Sequence, residues 1–246
     1  MEELALCARA IEAAQHAVAN RDEPYEREMG THLLTLGLKL GLSAVRSCEL
    51  LGPTQPFWCC VCARPFLEFA LRLLWASRQE DGMGRMFSYY ADEHREWLRK
   101  LSNENEEHLP AFAETETRVP LSQLPAPMPK SMADVIKDIG NKDQINGVAS
   151  MCHHKDHYRV TIGFLHNFLH ANPVFVNDDP LSFLAYAAQG VLEGTVSLLR
   201  AVGYRLNWDQ NEIVTAIYGI SSGASLTSEE KAALRAAVER GEVDGS

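Results

Sequence analysis

The side chains best suited to chemistry lie on one face of a helix predicted over residues 150 to 171. Arg159, His166 and His170 fall within about 40° of one another at the angular spacing of an α-helix. A guanidinium can stabilise negative charge, and imidazoles exchange protons near neutral pH. This face favours acid–base chemistry on an anionic group or binding of a small anionic ligand, unless the three side chains are polar groups of the core.

A second polar set interrupts the most apolar stretch, residues 57 to 75 (FWCCVCARPFLEFALRLLW). Arg64, Glu68 and Arg72 fall within about 80° of one another and form one charged stripe on a helix that is apolar nearly all round. Buried charges persist only when they are paired and hydrogen-bonded. We therefore expect Glu68 to pair with Arg64 or Arg72 and to lie within reach of the histidine-bearing face.

A third polar residue is Glu193, the only acidic residue in an apolar helix predicted over 181 to 204. Its carboxylate could meet either cationic group, the stripe or the Arg159 face. All of these polar groups have a structural alternative, in which they satisfy one another inside the core.

Metal ligation is a further alternative. His153 and His157 are one helical turn apart, next to His154, and His166 and His170 are also one turn apart. Each such pair can share a metal ion. Cys59 and Cys62 could form a zinc site with a histidine, but C-C-x-C lacks the second pair of ligands. Reduced, buried thiols are the plainer interpretation of the cysteines. The sequence predicts no metal ion and no cofactor.

Helical periodicity extends over most of the chain, and no convincing strand or hairpin is found. We predict an all-α multi-helix bundle forming a single domain over residues 1–246, since neither half supplies partners for all its apolar helices. An amphipathic helix is predicted at the N-terminus, with one apolar face formed by Leu4, Ala8, Ile11, Ala14 and Val18. Further helices are predicted at 26 to 51, 57 to 78, 82 to 102, 150 to 171, 180 to 204 and, after the capping box of Thr227 and Glu230, within 225–246.

A proline-rich connector over residues 109–130 breaks this pattern, with five of the eleven prolines of the chain. Connections of this length are uncommon inside a compact domain. The connector is either a strap that crosses the bundle and joins its halves or a lid over a pocket.

Composition narrows the classes of function. A net charge of −10 argues against a general DNA-binding protein or a protein that binds anionic membranes. The apolar stretch at 57 to 75 carries central charges that make membrane insertion costly, and the N-terminus shows no pattern of a secretion signal. We expect a cytoplasmic protein with no membrane association. Leftover apolar helix faces suggest a homodimer.

The stretch Arg64-Pro65-Phe66-Leu67-Glu68-x3-Arg72-x2-Trp75, followed by an amphipathic helix and then by Tyr158 and His166, resembles a group of uncharacterised bacterial all-helical domains. These domains share an R-P-x-x-E-x-x-x-R-x-x-W helix and a later Tyr/His helix. The resemblance covers roughly residues 30 to 205. The group is similar in outline to the HEPN superfamily, helical bundles that include RNase toxins and phage-defence effectors.

The HEPN-like outline implies an RNase site made by an arginine and a histidine a few residues further on. Arg159-x6-His166 fits the widest version of that spacing. It implies a metal-independent cleavage in which His166 and His170 exchange protons and Arg159 stabilises the phosphorane charge. The binding residues would then be Arg64, Glu68, Arg72, Tyr158 and Glu193.

Two classes of function therefore remain open from the sequence. One is an endoribonuclease of toxin or phage-defence type. The other is a non-catalytic helical interaction module in which the Arg/Glu/His network is structural. The expected partners are RNA or a small anionic ligand, and a second copy of the chain.

Overall fold

The computed structural model describes residues 2–19, 28–52, 54–104, 124–145, 165 and 180–206. Within these residues the chain forms six helices and no strand, which confirms the predicted all-α bundle. The helices are α1 (Glu2–Ala19), α2 (Glu28–Leu51), α3 (Pro56–Ser77), α4 (Gly82–Glu104), α5 (Met132–Ile145) and α6 (Pro180–Leu206). The helices predicted at 150 to 171 and within 225–246 lie outside the described residues, apart from Leu165.

Helix α3 occupies the centre of the bundle, as its apolar sequence predicts. It packs most extensively against α6 and also contacts α2, α4 and α5. Phe66, Leu67, Leu71 and Leu74 are fully buried along it. Pro56 lies in the first turn, where its missing N–H costs no helical hydrogen bond. Leu165 is also buried in this core.

Two glycines allow the neighbouring helices to approach α3 closely. A Cβ atom at Gly194 of α6 would lie 2.7 Å from Cε1 of Phe66, and one at Gly41 of α2 would lie 2.9 Å from Cε2 of the same ring. Both distances are shorter than carbon atoms tolerate. The Phe66 ring is therefore held between the backbones of α2 and α6, which explains how a helix this bulky packs on both.

Helix α1 buries Leu4, Cys7, Ile11, Ala14 and Val18, which recur every three or four residues. This face covers α2 and α6. Four of these residues belong to the predicted apolar face, and its fifth member, Ala8, is partly buried. A one-sided helix has only one face that can enter the core.

The second half of α4 buries polar side chains that its hydrophobic pattern does not indicate. Trp97 belongs to the apolar spacing of this helix but is 55% exposed, and its ring stacks on that of His94 at the surface. Leu98, of the same spacing, is buried, and Arg95 and Ser102 are buried with it. Two polar side chains therefore share the buried face with an apolar one.

None of the described helices is long and apolar enough to cross a membrane. In α3 the reason is visible in the sequence, since Arg64, Glu68 and Arg72 interrupt its apolar residues.

Candidate functional site

The charged stripe of α3 contributes to two separate structural clusters. Arg64 and Glu68 form an ion pair, with Nη2 of Arg64 at 2.7 Å from Oε1 of Glu68. This confirms the pairing predicted for Glu68. The side chain of Arg64 is 11% exposed and that of Glu68 is 27% exposed, so the expectation of a buried stripe fails at Glu68. The carboxylate can remain partly hydrated because it lies towards the surface.

Arg72, the third member of the stripe, binds the end of the proline-rich connector. Its Nη1 donates to the carbonyl oxygen of Pro129 at 3.1 Å, and its Nη2 donates to that of Lys130 at 3.0 Å. Nη2 also lies 3.3 Å from the hydroxyl oxygen of Tyr89, and the guanidinium carbon lies 4.2 Å from the centre of the Tyr89 ring. With the residue only 6% exposed, the charge of Arg72 is satisfied by backbone carbonyls.

We call residues 124–131, the described end of the connector, the strap. A second arginine, Arg85 of α4, binds its preceding part. Nε of Arg85 donates to the carbonyl oxygen of Ala126 at 3.1 Å, and Nη2 donates to that of Pro127 at 3.4 Å. In return, the backbone N–H of Met128 donates to the carbonyl oxygen of Arg85 at 3.1 Å.

The strap needs such donors because of its composition. Proline has no N–H and holds an extended backbone, so its carbonyl groups cannot be satisfied by helix formation. Two guanidinium groups supply the missing donors, while the side chain of Met128 is buried in the core. The strap interpretation of the connector is therefore supported for residues 124–131. Residues 109–123 lie outside the described part.

Helix α5, which follows the strap, is attached to α3 by two further polar contacts. Nε1 of Trp75 donates to Oδ2 of Asp138 at 3.1 Å, and Nη1 of Arg78 donates to the carbonyl oxygen of Ile139 at 3.3 Å. Ser131 caps α5, since its Oγ accepts from the N–H of Ala133 at 3.1 Å. The end of α3 thus fixes the position of both the strap and α5.

A cavity of about 360 Å³ lies beside the strap, where α3 turns into α4. Its walls are the end of α3, the start of α4, and Leu124 and Pro125 of the strap. Gly30 of α2 and Arg205 of α6 close the other side. The volume is within the range of pockets that hold small molecules, roughly 300–1,000 Å³. The start of the strap therefore also forms part of the cavity wall.

Arg205 is the cationic side chain of this cavity. Its Nε is buried and has no hydrogen-bond partner among the described residues. A Cβ atom at Gly30 would lie 3.1 Å from both Nε and Nη2 of Arg205. Glycine at this position therefore leaves room for the guanidinium against the first turn of α2. A buried donor without an acceptor is costly. Arg205 also lines the cavity, where the charge of its guanidinium can attract a bound anion.

Glu193 is buried, as the sequence predicts, at 7% exposure. Its Oε1 accepts from Nε2 of Gln189 at 2.8 Å, one helical turn away. The other expected site residues, Tyr158, Arg159, His166 and His170, lie outside the described residues. So do His153, His154, His157 and Cys152.

The four cysteines of α2 and α3 are free thiols, and three of them are buried. Cys48, Cys59 and Cys60 are buried, and Sγ of Cys60 lies 3.2 Å from the carbonyl oxygen of Phe183. Burial raises the pKa of Cys60 from 9.0 to about 12, and burial likewise raises the pKa values of Cys48 and Cys59. The described residues contain no group of three histidine, cysteine or carboxylate side chains placed to bind a metal ion.

Burial also acts on a tyrosine beside Arg72. It raises the pKa of Tyr90 from 10.0 to about 12, against the lowering effect of the Arg72 charge. The hydroxyl of Tyr90 therefore stays protonated near neutral pH. The ring of Tyr90 stacks on that of Phe69, with 5.8 Å between the ring centroids.

Sequence reasoning did not single out Arg85, Asp138 and Arg205. The acceptors of Arg85 are backbone carbonyls, which every residue possesses, so the sequence contains no signal for them. A weak signal did exist for Arg205, a basic residue in the last turn of an apolar helix.

The chain was compared with known proteins at the level of families, individual sequences and folds. It matches no family model, and no curated protein or solved structure is significantly similar to it.

Proposed function

We propose that this chain is a non-catalytic helical module in which the charged side chains of α3 are structural, and in which the cavity beside the strap binds a small anionic ligand. The observation that carries the proposal is that the arginines make different kinds of contact. Arg72 and Arg85 are used by the strap, whereas Arg205 presents a buried Nε without a partner among the described residues.

The contacts of Arg72 support the structural half of this proposal. Its two terminal nitrogens contact two carbonyl oxygens and one hydroxyl, and the side chain is buried. An arginine that binds RNA, the role that the nuclease hypothesis gives to Arg72, must be able to reach a phosphate group from solvent. Arg72 would have to release the strap to do so, at the cost of leaving the carbonyls of Pro129 and Lys130 without this donor.

The cavity supports the binding half. A guanidinium forms its strongest hydrogen bonds to carboxylate or phosphate oxygens. Arg205 lies at the end of α6, where the helix dipole favours its positive charge, and its position in the cavity depends on the absence of a side chain at Gly30. We place the protein in the cytoplasm and expect it to associate as a homo-oligomer.

The competing proposal is a metal-independent endoribonuclease of toxin or phage-defence type. It rests on the HEPN-like spacing of Arg159 and His166, with His170 as a second proton carrier. The two proposals differ in a direct way, because only the nuclease requires His166 for an effect on RNA.

Two measurements test the proposed function. Wild type and His166→Ala are expressed in a bacterial host, and growth and the integrity of total RNA are followed. We expect intact RNA in both cultures. RNA cleavage in wild type that disappears in His166→Ala would replace this proposal with the nuclease.

The binding half is tested with purified full-length protein, using inorganic phosphate and hexanoate as probes in titration calorimetry. We expect at least one of them to bind to wild type, and Arg205→Gln to remove that binding. Arg46→Gln is the matched control, since Arg46 is exposed on α2 away from the cavity. An equal loss in both variants, or no binding to wild type, would contradict the proposal.

A further inference from the structure

The cavity beside the strap contains an anionic side chain as well as a cationic one. Asp81 lies in the turn between α3 and α4 and lines the same cavity as Arg205. No ion pair joins the two side chains in the described part of the chain. We propose that the ligand of this cavity is a small zwitterion, with its carboxylate on Arg205 and its ammonium on Asp81.

This inference rests on the proposed anion-binding function and specifies its ligand. A simple anion would gain from Arg205 but would be repelled by the carboxylate of Asp81. An ammonium group on the same ligand turns that repulsion into attraction. Specificity of this kind depends on the unfavourable interaction with the wrong ligand as much as on the favourable one with the right ligand.

The backbone holds Asp81 at an unusual conformation. Its φ is 51°, the one positive value among the described non-glycine residues. Asp and Asn tolerate this region better than most residues, but it still costs energy. The carbonyl oxygen of Asp81 accepts from the N–H of Arg85 at 3.0 Å, at the start of α4. The conformation is therefore set by the turn, and it places the carboxylate at the cavity wall.

Gly84 keeps the anionic side of the cavity narrow. A Cβ atom at Gly84 would lie 2.6 Å from Oδ1 of Asp81 and 3.2 Å from Cγ of Pro125. A side chain at this position would thus displace the Asp81 carboxylate and contact the strap. The strap, α4 and Asp81 lie too close together here to leave space for a side chain at Gly84.

Part of the cavity wall is apolar and can cover a hydrocarbon group. Met83 and Phe87 of α4 and Leu124 and Pro125 of the strap form this part of the lining. A volume of about 360 Å³ accommodates a ligand of amino-acid size. A zwitterion with a short aliphatic chain therefore suits both the charges and the apolar wall.

Four compounds with matched chains test this inference on the purified full-length protein. L-norleucine carries both charges, hexanoate lacks the ammonium, pentylamine lacks the carboxylate, and 6-aminohexanoate places the ammonium at the far end of the chain. We expect one of the two zwitterions to bind about tenfold more tightly than hexanoate, measured by titration calorimetry. Pentylamine should bind more weakly than that zwitterion.

Asp81→Asn identifies the residue responsible. Asparagine tolerates a positive φ and keeps the shape of the side chain, so this variant should fold. We expect it to lower the affinity for the zwitterion to the level of hexanoate and to leave hexanoate binding equal or tighter. Glu80→Gln is the matched control, because Glu80 is the exposed neighbour of Asp81 and does not line the cavity.

The outcomes separate this inference from the proposed function. Equal binding of hexanoate and both zwitterions, or unchanged zwitterion affinity in Asp81→Asn, overturns the zwitterion and leaves an anion site at Arg205. Absence of binding by all four compounds and by phosphate overturns both. A second variant, Arg205→Lys, should weaken binding while keeping the charge, since lysine lacks the planar fork of the guanidinium.

Discussion

Arg72 of α3 donates a hydrogen bond from Nη1 to the carbonyl oxygen of Pro129, at 3.1 Å across 57 positions of sequence. The same guanidinium binds the next carbonyl, that of Lys130. A positive charge inside the bundle is thus used to hold a segment that cannot form its own regular hydrogen bonds.

Replacing Arg72 with Met should therefore destabilise the protein. The variant leaves the carbonyls of Pro129 and Lys130 without their donor, and we expect the free energy of unfolding to fall by about 3 kcal/mol. Chemical denaturation followed by circular dichroism measures this change.

The matched control for Arg72→Met is Arg99→Met. Arg99 is an exposed arginine of α4 that pairs with Glu96 at 2.8 Å, and solvent competes with that pair. We expect little change. Comparable losses in the two variants would show that the strap contacts of Arg72 contribute no more than a surface ion pair.

Glu68→Gln should destabilise the protein less than the removal of a fully buried charge would. The Glu68 side chain is 27% exposed and that of Arg64 is 11% exposed, so the loss of the ion pair should lower the free energy of unfolding by about 1 kcal/mol. The same denaturation measurement applies. A loss as large as that of Arg72→Met would mean that Arg64 depends on Glu68 more than the exposure indicates.

Gly194→Ala tests the close approach of α6 to α3. The added Cβ would lie 2.7 Å from Cε1 of Phe66, so the ring or the helix must move, and we expect destabilisation of about 2 kcal/mol. The double variant Gly194→Ala with Phe66→Leu removes the obstructing ring atoms. The double variant should lose less stability than the sum of the losses in the two single variants. Strict additivity would show that the added Cβ does not act through its contact with Phe66.

Stability should fall with rising pH above 9 because of the buried thiol of Cys60. Burial raises the folded-state pKa of this thiol from 9.0 to about 12. Below pH 9 it is protonated in both states. Above pH 9 the unfolded chain loses this proton while the folded protein keeps it, so the unfolded state is favoured progressively up to about pH 12.

Cys60→Ala isolates this contribution. The variant loses packing at every pH, but its free energy of unfolding should decline less steeply above pH 9 than that of wild type. The slope of stability against pH, measured by urea denaturation, is the readout. Identical slopes in the two proteins would assign the alkaline loss to other groups, among them Tyr90, whose pKa burial raises to about 12.

Gly30→Ala connects the packing of α2 to the proposed ligand site. The added Cβ would lie 3.1 Å from Nε and Nη2 of Arg205, and a flexible side chain can move away. We expect the fold to persist and the affinity for the anionic probe to fall several-fold. In the Arg205→Gln background the same change should have no further effect on binding.

The bounds of α2, α3, α4 and α6 were predictable from the sequence to within two residues. Helical periodicity and proline positions are local properties, so they can be read without the fold. Helix α5 was not predicted, because it is short and follows the proline-rich connector. The cap at Ser131 and the first-turn Asp134 were the signals available for it.

The contacts of the candidate site, like the helices, were predictable only where they join residues close in sequence. The ion pair of Arg64 with Glu68 joins residues one helical turn apart, and the spacing alone predicts it. The exposed position of Trp97 and the burial of Arg95 on α4 were not predictable, because the partners of a helix face belong to other parts of the chain.

What the sequence by itself determined is the described helices other than α5, the central place of α3 and the presence of charges inside it. Only the tertiary structure decided that Arg72 binds the strap, and that Arg205, Asp81 and Gly30 border one cavity. The physical reason is that periodicity depends on neighbouring residues, whereas a backbone carbonyl is the same at every position. Which carbonyl a guanidinium reaches depends on how the helices pack, and no residue type in the sequence marks it.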